Sequence, residues 1–404
     1  MQKSLNPDVL NRITYLTGSA EIAGRISSIP AKSPFDNSII DFLNNVSKVL
    51  MNSRVAKSYS DIATFGFWIR KSSILKLKER FETKDEAFHI GRGVTFHIAP
   101  SNVPVNFAYS LVAGLLTGNT NIVRVPSKNF EQVNILVDAF NKVLAESEDM
   151  RPYVLLVRYG RDKEVNDLFS SIADIRVVWG GDATIAEIRK SPLPPRSGEI
   201  TFADRYSLAV IDSDSYLATH NKERIANDFY NDTFYSDQNA CSSPRIVVWT
   251  GKQIAQAKKV FWEEEHKLVE KRYTFQTIQG VNKLTSSYLI AALAPGCKIE
   301  EHQDNLIVRV SVPEIWDFLM DYRDNSGYFF EYDCENILNI KDVCNDKRCQ
   351  TIAYFGDSKI IFPLIQAGVK GIDRIVPMGK TMDFDLIWDG YNLPALLTRT
   401  VMLK

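Results

Sequence analysis

The first ninety residues and the rest of the chain differ in their pattern of apolar positions. In DNSIIDFLNNVSKVLMN, Ile39, Leu43 and Leu50 recur at helical spacing, and Asp36 stands before them as a candidate N-cap. The flanking segments are also polar on one side. We therefore predict a helical arm over residues 1–90 that packs on the domain after it.

From GVTFHIA onward, short β-rich runs alternate with helical runs. The runs are NIVRV, EQVNILVDAFNKVLAE, YVLLVRYG, KEVNDLFSSI, IRVVWGG and ATIAEIRK. Such alternation predicts βαβ units, and therefore a parallel sheet covered by helices. A proline-rich connection at residues 191–200 separates this pattern from a second one, in which SLAVID, RIVVWTG, DNLIVRV, TIAYFG and RIVP are strands and FWEEEHKLVEKRY is an amphipathic helix.

These boundaries divide the chain into four parts. After the arm at 1–90 we predict a first α/β domain at 91–200, a second at 201–390, and a C-terminal strand or tail at 391–404. The final LLTRTVMLK is a candidate edge strand that pairs with another subunit, so a homo-oligomer is one expectation.

Composition and charge narrow the classes of partner. The 404 residues are 45% hydrophobic and 24% charged, with 48 basic and 49 acidic side chains, so no overall field favours nucleic acid or an anionic membrane. Residues 93–123 contain no Asp, Glu, Lys or Arg, yet prolines and four asparagines interrupt them, which predicts a buried strand, helix and second strand and no membrane span. The N-terminus lacks a signal-like apolar run, and we expect a cytoplasmic protein.

The cysteines point to one reactive thiol. The chain has five cysteines, an odd number, and they are widely spaced, which is typical of proteins in a reducing compartment. Cys344 and Cys349 have four residues between them, and no CxxC pair or His-x3-His spacing accompanies them, so we predict no metal site. Cys241 stands in DQNACSSPR, among small, polar and turn-forming residues, where a buried structural cysteine would have apolar neighbours. That setting suits a nucleophile, with nearby backbone dipoles favouring its thiolate.

Several strand ends carry candidate binding residues. Asn102 in HIAPSN precedes a helix that starts near Val105, which is a suitable place for a phosphate or a developing oxyanion; alternatively, Asn102 caps that helix. There is no GxGxxG or GxxxxGK[ST] motif, but a basic strand end and two glycine turns, RYGRD and WGGD, follow in order. The candidate cofactor-binding residues are Ala99, Pro100, Ser101, Arg124, Ser127, Lys128, Gly160, Arg161, Gly180, Gly181 and Asp182.

Four segments together resemble a known family. SNVP, GLLTGNTNIVRVPSK, DQNACSSPR and DRIVPMGKTMDFDLIWDG are similar, in consistent order, to the LuxC-type acyl-CoA (acyl-thioester) reductases, a branch of the aldehyde dehydrogenase superfamily. The resemblance implies an aldehyde dehydrogenase-like α/β fold. It further implies two parallel-sheet domains, the first binding NADP and the second catalytic, with the active site between them.

The resemblance also assigns roles. The cysteine matching Cys241 attacks the acyl carbonyl, and the asparagine matching Asn102 stabilises the oxyanion together with the backbone N–H of Cys241. Val125 stands where the superfamily commonly has a ribose-contacting lysine, which Arg124 replaces only if the register shifts. Lys128 stands where NAD-preferring members often have a glutamate, so we predict that NADPH is preferred.

One position departs from the superfamily pattern. Members that hydrolyse their acyl-enzyme carry a glutamate base where this chain has Thr201, and Glu199, two residues earlier, takes that place only if the register is shifted. Without the base, the acyl thioester persists until hydride reaches it.

We therefore expect NADPH-dependent reduction of an acyl thioester to an aldehyde through acyl-Cys241 and a thiohemiacetal. The alternatives are a cysteine-dependent acyltransferase or thioesterase without nicotinamide chemistry, and a non-catalytic partner protein of the same fold. The family resemblance allows the acyl group to come from CoA, a carrier protein or a partner acyl-protein synthetase, and the sequence leaves its chain length open.

Overall fold

Two units make up the chain in the computed structural model, which describes residues 5–81, 87–100, 103–300 and 304–402. The first unit consists of residues 1–203 and 391–404, and the second consists of residues 204–390.

The first unit begins with short helices and continues as alternating strands and helices. Its elements before the second unit are α1 (Pro7–Leu10), β1 (Thr14–Thr17), α2 (Ala20–Arg25), α3 (Asn37–Asn52), α4 (Arg54–Ser58), α5 (Ser60–Trp68), α6 (Lys71–Phe81), β2 (Phe88–Gly91), β3 (Val94–Ile98), α7 (Asn106–Leu116), β4 (Thr120–Arg124), α8 (Glu131–Ala145), β5 (Val154–Arg158), α9 (Lys163–Ile172), β6 (Ile175–Trp179), α10 (Asp182–Ile188) and β7 (Gly198–Phe202).

The main sheet of this unit has the strand order β1-β5-β4-β3-β6-β7. All neighbours in it are parallel except β1 and β5. The chain moves from β3 to β4 and β5 on one side and then crosses to β6 and β7 on the other, so the direction of winding reverses between β3 and β6. In open α/β sheets, ligands bind at such a reversal, beside the carboxyl ends of the strands.

The helical arm is confirmed in part. Asp36 caps α3 by accepting a hydrogen bond from the backbone N–H of Ser38 at 2.9 Å, and Ile39, Leu43 and Leu50 are buried as their spacing predicted. The arm is not helical throughout, because β1 pairs antiparallel with β5 and forms an edge of the main sheet. Four residues are too short a run to signal a strand in sequence.

The second unit repeats the α/β alternation. Its elements are β8 (Tyr206–Asp212), α11 (Ser213–Ala218), α12 (Lys222–Asp232), β9 (Pro244–Thr250), α13 (Ile254–Arg272), α14 (Thr277–Leu293), β10 (Lys298–Ile299), β11 (Val308–Ser311), β12 (Tyr328–Asp333), α15 (Lys341–Asn345), β13 (Cys349–Phe355), α16 (Phe362–Gln366), β14 (Arg374–Pro377) and β15 (Ile387–Trp388). The chain then returns to the first unit with β16 (Tyr391–Asn392), α17 (Leu393–Leu397) and β17 (Thr398–Val401).

The sheet of the second unit has the order β10-β11-β12-β9-β8-β13-β14, and only the β10–β11 pair is antiparallel. Its central strands are β9 and β8. Every residue of β9 is buried, because helices or loops cover both faces of the sheet there. This makes the start of β9 a rigid support for the residues that precede it.

The C-terminal segment contains the strand β17. β17 pairs antiparallel with β2 of the same chain, from Thr398 opposite Gly91 to Val401 opposite Phe88. The intervening sequence of more than three hundred residues hides this pairing from a local pattern. Among the described residues, no helix is long and apolar enough to cross a bilayer.

Candidate functional site

Cys241 lies in a tight turn, three residues before the first residue of β9. The turn starts with two non-glycine residues in the left-handed region, Asp237 with φ 52° and Gln238 with φ 51°. Left-handed backbone is costly for side chains with a Cβ and persists where the surroundings over-determine it. The hydrogen bonds of Gln238 supply that constraint.

Gln238 is completely buried and ties the turn to the start of β12. Its Oε1 accepts from the backbone N–H groups of Gly327 at 2.7 Å and Tyr328 at 3.2 Å. Its Nε2 donates to the carbonyl of Pro244 at 3.1 Å. Arg245 adds a second tie, donating to the carbonyls of Gln238 and, at 2.7 Å, Asp324. The turn before Cys241 is therefore held by buried polar contacts.

The Cys241 thiol is half-buried and faces charged side chains. Its Sγ lies 3.9 Å from Oδ1 of Asp204, and Asp204 forms an ion pair with Arg323. Ser207, at the start of β8, donates to the carbonyl of Cys241 at 2.8 Å. Among the described residues, no acceptor binds the backbone N–H of Cys241. A donor of this kind is what a developing oxyanion next to the sulfur requires.

The electrostatic surroundings of the thiol differ from our expectation. Burial raises the pKa of Cys241 above its ordinary value, and the carboxylates of Asp204 and Asp389 raise this pKa further. The backbone N–H of Arg205 and the charge of Arg323 act in the opposite direction but do not outweigh burial. The prediction that nearby dipoles make Cys241 a thiolate is therefore wrong for this structure, and the thiol needs a proton acceptor.

Asp389 is a residue near the thiol that the sequence did not single out as functional. It is 9% exposed, has a φ of 49°, and accepts a hydrogen bond from Gln350. Burial raises the pKa of Asp389 to about 6, and the Arg205 guanidinium, with its Nη1 3.7 Å away, limits the rise. The signal available in the sequence was the WDG motif, where the chain turns at a left-handed Asp389. Nothing in that motif indicates that Asp389 lies near Cys241.

The other cysteines differ from Cys241. Cys334, Cys344 and Cys349 are buried, and all five thiols are free. Burial and the contact with Cys349 raise the pKa of Cys344, as expected for structural thiols. Within the described parts of the chain, no cluster of His, Cys, Asp and Glu could hold a metal ion.

The candidate cofactor residues lie along the side of the first unit's sheet that is formed by the carboxyl ends of its parallel strands, which we call the carboxyl edge. They follow the carboxyl ends of the parallel strands β3, β4, β5 and β6, and those after β3 and β6 flank the reversal point. Helix α10 begins at Asp182, with Gly181 as its N-cap. Ala99 and Pro100 are part of this edge, whereas Ser101 and Asn102 lie outside the described residues.

Two basic residues of this edge have different surroundings. The Arg124 guanidinium lies over the Tyr159 ring at 4.7 Å from its centroid and donates to the Gly160 carbonyl at 3.0 Å, so it supports the neighbouring turn. Lys128 is exposed, beside the exposed Ser127, and its Nζ lies 5.5 Å from the Phe130 ring. Val125 is buried. Lys128 is therefore the more available cation for an anionic ligand.

Arg158 was missed by the sequence analysis. It is the last residue of β5, and its Nε and Nη2 are buried without a hydrogen-bond partner among the described residues. A cation at the end of YVLLVR was the available signal. Its burial depends on the pairing of β5 with β1, which the sequence did not predict.

Glu199 has a structural environment. It lies on β7, where one carboxylate oxygen accepts from Arg176 and the other accepts from Arg189 at 2.7 Å. Arg176 is 2% exposed, so this ion pair is largely shielded from water. Both oxygens are engaged, and Glu199 is poorly suited to accept a proton from water.

His97 serves the fold. It is buried in β3, with Nδ1 2.7 Å from Ser110 Oγ and Nε2 3.0 Å from Asn121 Oδ1. Burial lowers the pKa of His97 to about 4, so it remains neutral at physiological pH.

Comparison with known proteins supports the family resemblance. The model of the acyl-CoA reductase (LuxC) family matches residues 70–270. The long-chain acyl-protein thioester reductase of Aliivibrio fischeri is 23% identical over 300 residues, and that of Vibrio harveyi is 26% identical over 306 residues. Each match covers 72% of this chain and 60% of the relative. The chain is thus matched to somewhat more than half the length of these curated relatives.

Solved structures show the fold. Aldehyde dehydrogenase 21 from Physcomitrella patens superposes with a TM-score of 0.66 at 11% identity, over 94% of this chain and 88% of that one. A lactaldehyde dehydrogenase superposes with a TM-score of 0.65 at 13% identity, over 95% and 90%. The aldehyde dehydrogenase-like fold predicted from the sequence is confirmed.

Proposed function

Starting from the confirmed resemblance to the LuxC-type acyl-thioester reductases and from the aldehyde dehydrogenase-like fold, we propose that this chain reduces an acyl thioester to an aldehyde, with Cys241 as the nucleophile and NADPH as the reductant. The observation that carries the proposal is the Cys241 turn. It presents a half-buried thiol beside Asp204, which pairs with Arg323, and a backbone N–H that no acceptor binds among the described residues.

The first step in the proposed reaction is transfer of the acyl group to Cys241. The sulfur attacks the acyl carbonyl, the donor thiol departs, and one thioester replaces another at little thermodynamic cost. Because the pKa of Cys241 is raised, its proton must first pass to an acceptor. Asp204 has its Oδ1 3.9 Å from the sulfur. We assign it this role, with Arg323 holding it in place.

The second step needs a hydride and a hydrogen-bond donor to the oxyanion. A bound reduced nicotinamide supplies the hydride that converts the acyl group on Cys241 to a thiohemiacetal. The backbone N–H of Cys241 stabilises the oxyanion, aided by Asn102 as the family resemblance implies. The thiohemiacetal then releases the aldehyde and restores the thiol.

The sheet edge of the first unit fits a phosphorylated dinucleotide. Lys128 and Ser127 are exposed next to the carboxyl end of β4, where a 2′-phosphate would gain an ammonium and a hydroxyl. Gly160, Arg161, Gly180, Gly181 and Asp182 complete the set of candidate contacts. We therefore propose a preference for NADPH over NADH.

Reduction is favoured over hydrolysis by the environment of Glu199. Both of its carboxylate oxygens are bound by arginines, and Thr201 stands at the position of the superfamily's base. Water near an acyl-cysteine would then lack the glutamate base that the superfamily uses for hydrolysis. The matched relatives are long-chain acyl-protein thioester reductases, and we include a long acyl chain delivered as an acyl-protein thioester in the proposal.

Stopped-flow absorbance of NADPH tests the function. The purified chain is mixed with acyl-CoA esters of increasing chain length and either NADPH or NADH, in parallel with Cys241→Ala and the control Cys297→Ala. Cys297 is another thiol outside the buried set. We expect thioester-dependent NADPH oxidation that disappears in Cys241→Ala and persists in Cys297→Ala.

Two other results would change the assignment. Release of CoA in a burst, with both nicotinamides untouched, would identify a cysteine transferase or thioesterase. Equal activity in wild type and Cys241→Ala would remove the thiol from the mechanism.

A further inference from the structure

Arg205 lies between Asp204 and the first residue of β8, and its side chain is buried, with 9% of the residue exposed. Its Nη2 donates to the carbonyl of Cys349, the first residue of β13, and to the carbonyl of Gly371 at 2.6 Å. Its Nη1 donates to Asp373, immediately before β14. β8, β13 and β14 are parallel neighbours in the sheet, so one guanidinium joins the amino ends of three strands.

Asp389 gives this guanidinium a second carboxylate. Its Oδ1 lies 3.7 Å from Nη1 of Arg205 and accepts a hydrogen bond from Gln350. Burial of a charged group costs free energy unless the group is paired, and for stability alone well-packed apolar residues often serve as well as a buried ion pair. The value of Arg205 therefore lies in the segment that its contacts hold in place.

That segment, residues 204–207, contacts Cys241 at both its sulfur and its carbonyl. Oδ1 of Asp204 lies 3.9 Å from the sulfur, and the backbone N–H of Arg205 donates a hydrogen bond to the sulfur. Ser207 donates to the carbonyl of Cys241 at 2.8 Å and accepts from the backbone N–H of Thr351, on β13, at 3.2 Å. A shift of the segment would move a carboxylate and an N–H donor away from the sulfur together.

We propose that Arg205 is a positioning residue for Cys241: through its contacts with β13 and β14 it holds the Asp204 carboxylate and its own backbone N–H against the sulfur. This role rests on the proposed function, in which the thiol proton passes to Asp204 and the electron pair left on the sulfur forms the bond to the acyl carbon. A donor that is already in place stabilises the developing thiolate without reorganisation when the charge appears.

The balance of charges around the thiol makes this N–H important. The charged side chains that interact with the thiol are Asp204, Arg245, Arg323 and Asp389. Burial and the two carboxylates raise the pKa of Cys241, whereas the backbone N–H of Arg205 and the charge of Arg323 lower it. Displacement of the N–H should therefore raise the pKa further and leave less thiolate at a given pH.

The rate at which iodoacetamide alkylates Cys241 tests the proposal, because the thiolate is the reacting form. Mass spectrometry of the peptide that contains Cys241 gives this rate between about pH 7 and about pH 10. We expect Arg205→Met to slow alkylation about tenfold at the lower pH values, since a hydrogen bond to a charged group is worth about one pKa unit. Arg205→Lys keeps a cation near Asp373 and Asp389 and should recover part of the rate.

Arg309→Met is the matched control. Arg309 lies on β11 of the same sheet and pairs with the buried Glu331 at 3.1 Å. Its replacement should lower stability in urea but leave the pH profile of Cys241 unchanged. If Arg205 served stability alone, folded Arg205→Met would likewise show the wild-type profile, or faster alkylation from a looser turn, and either result would overturn the proposal.

Should Arg205→Met fail to fold, Asp373→Asn weakens the same contacts while keeping the shape of the side chain. It should slow alkylation about threefold, because a neutral acceptor holds a guanidinium less strongly than a carboxylate does. The wild-type rate in this variant would equally reject the role of Arg205.

Alkylation requires neither an acyl thioester nor a nicotinamide, so it separates this proposal from the proposed function. Slower alkylation in Arg205→Met, in a chain whose wild type oxidises no NADPH with any thioester, would support the positioning of the thiol and reject the reductase. Thioester-dependent NADPH oxidation together with an unchanged alkylation profile in Arg205→Met would support the reductase and reject the positioning role.

Discussion

Helices α13 and α14 follow one another in the chain and cover the same sheet, yet they divide their side chains in opposite ways. α13 buries Phe261, Trp262 and Val269 and exposes a charged side. Its exposed charged residues are Lys259, Glu263, Lys267, Glu270, Lys271 and Arg272. α14 exposes leucines and buries a lysine. Helical periodicity identifies two faces of a helix, but the direction in which each face points depends on what lies beneath.

The two helices also treat their buried ionisable residues differently. Glu265 of α13 is 0% exposed, and neither carboxylate oxygen has a hydrogen-bond partner among the described residues. Lys283 of α14 is equally buried but donates to three carbonyls. Burial raises the pKa of Glu265 well above its ordinary value and lowers the pKa of Lys283 to about 8. Lys283 stabilises the fold through its hydrogen bonds, whereas the fold tolerates Glu265 without such contacts.

The largest effect is expected for Lys283→Met. The substitution keeps the length of the side chain but leaves three buried carbonyls without their donor, and we expect a loss of about 3–5 kcal/mol in the free energy of unfolding. Urea denaturation measures it. Asn282→Met, at an adjacent exposed position of the same helix, is the control and should change stability little. A loss below about 1 kcal/mol for Lys283→Met would mean that the three hydrogen bonds of Lys283 are dispensable for stability.

Leucines of the two helices should differ next. Leu268 of α13 is 9% exposed and Leu284 of α14 is 46% exposed. We expect Leu268→Ala to cost about 2–4 kcal/mol and Leu284→Ala to cost less than about 0.5 kcal/mol in the monomeric chain. Thermal or urea unfolding compares the two variants. Similar costs for both would show that Leu284 packs against its own chain.

Replacement of Glu265 should increase the free energy of unfolding, in contrast to the two preceding substitutions. Glu265→Leu removes a buried carboxyl that has no partner, and we expect a gain of about 1–2 kcal/mol at neutral pH. Glu263→Leu, on the exposed side of α13, should remain within about 0.5 kcal/mol of wild type. Destabilisation by Glu265→Leu would instead reveal a partner for this carboxyl.

The smallest effect is a change in pH dependence. Because the folded-state pKa of Glu265 is raised above its ordinary 4.5, the folded chain holds a proton that the unfolded chain releases. The contribution of this group is therefore fully present below pH 4.5 and is lost as the pH rises towards the folded-state pKa. Wild type minus Glu265→Leu, measured by urea denaturation across this range, should fall with pH. A flat difference would contradict the raised pKa.

The sequence was sufficient to predict the class of fold and the main chemical features. Alternation of β-rich and helical runs predicted both parallel sheets, and the charged stripe of FWEEEHKLVEKRY predicted α13. The polar setting of Cys241 predicted a turn beside a strand. These features are local: each depends on the spacing or identity of residues within about twenty positions, which hydrophobic periodicity and turn propensity record.

Helix α14 was not predicted, and the reason is physical. TIQGVNKLTSSYLIAAL mixes Gly280 with β-branched residues and serines, which are weaker helix formers, and it has no charged stripe opposite an apolar one. Its only charge was not expected to be buried. Contacts with the carbonyls of Asn305 and Ser326 decide that orientation, and these lie more than twenty residues away.

The surroundings of the thiol also came from distant parts of the chain. Cys241 could be identified from its neighbours in sequence, but Asp204, Arg323 and Asp389 approach it from three separate segments and raise or lower its pKa together with burial. Likewise β1 and β17 acquire their roles by pairing with β5 and β2. Local propensity determines which elements form, whereas burial, ion pairing and strand pairing between remote segments depend on where the folded chain brings those elements together.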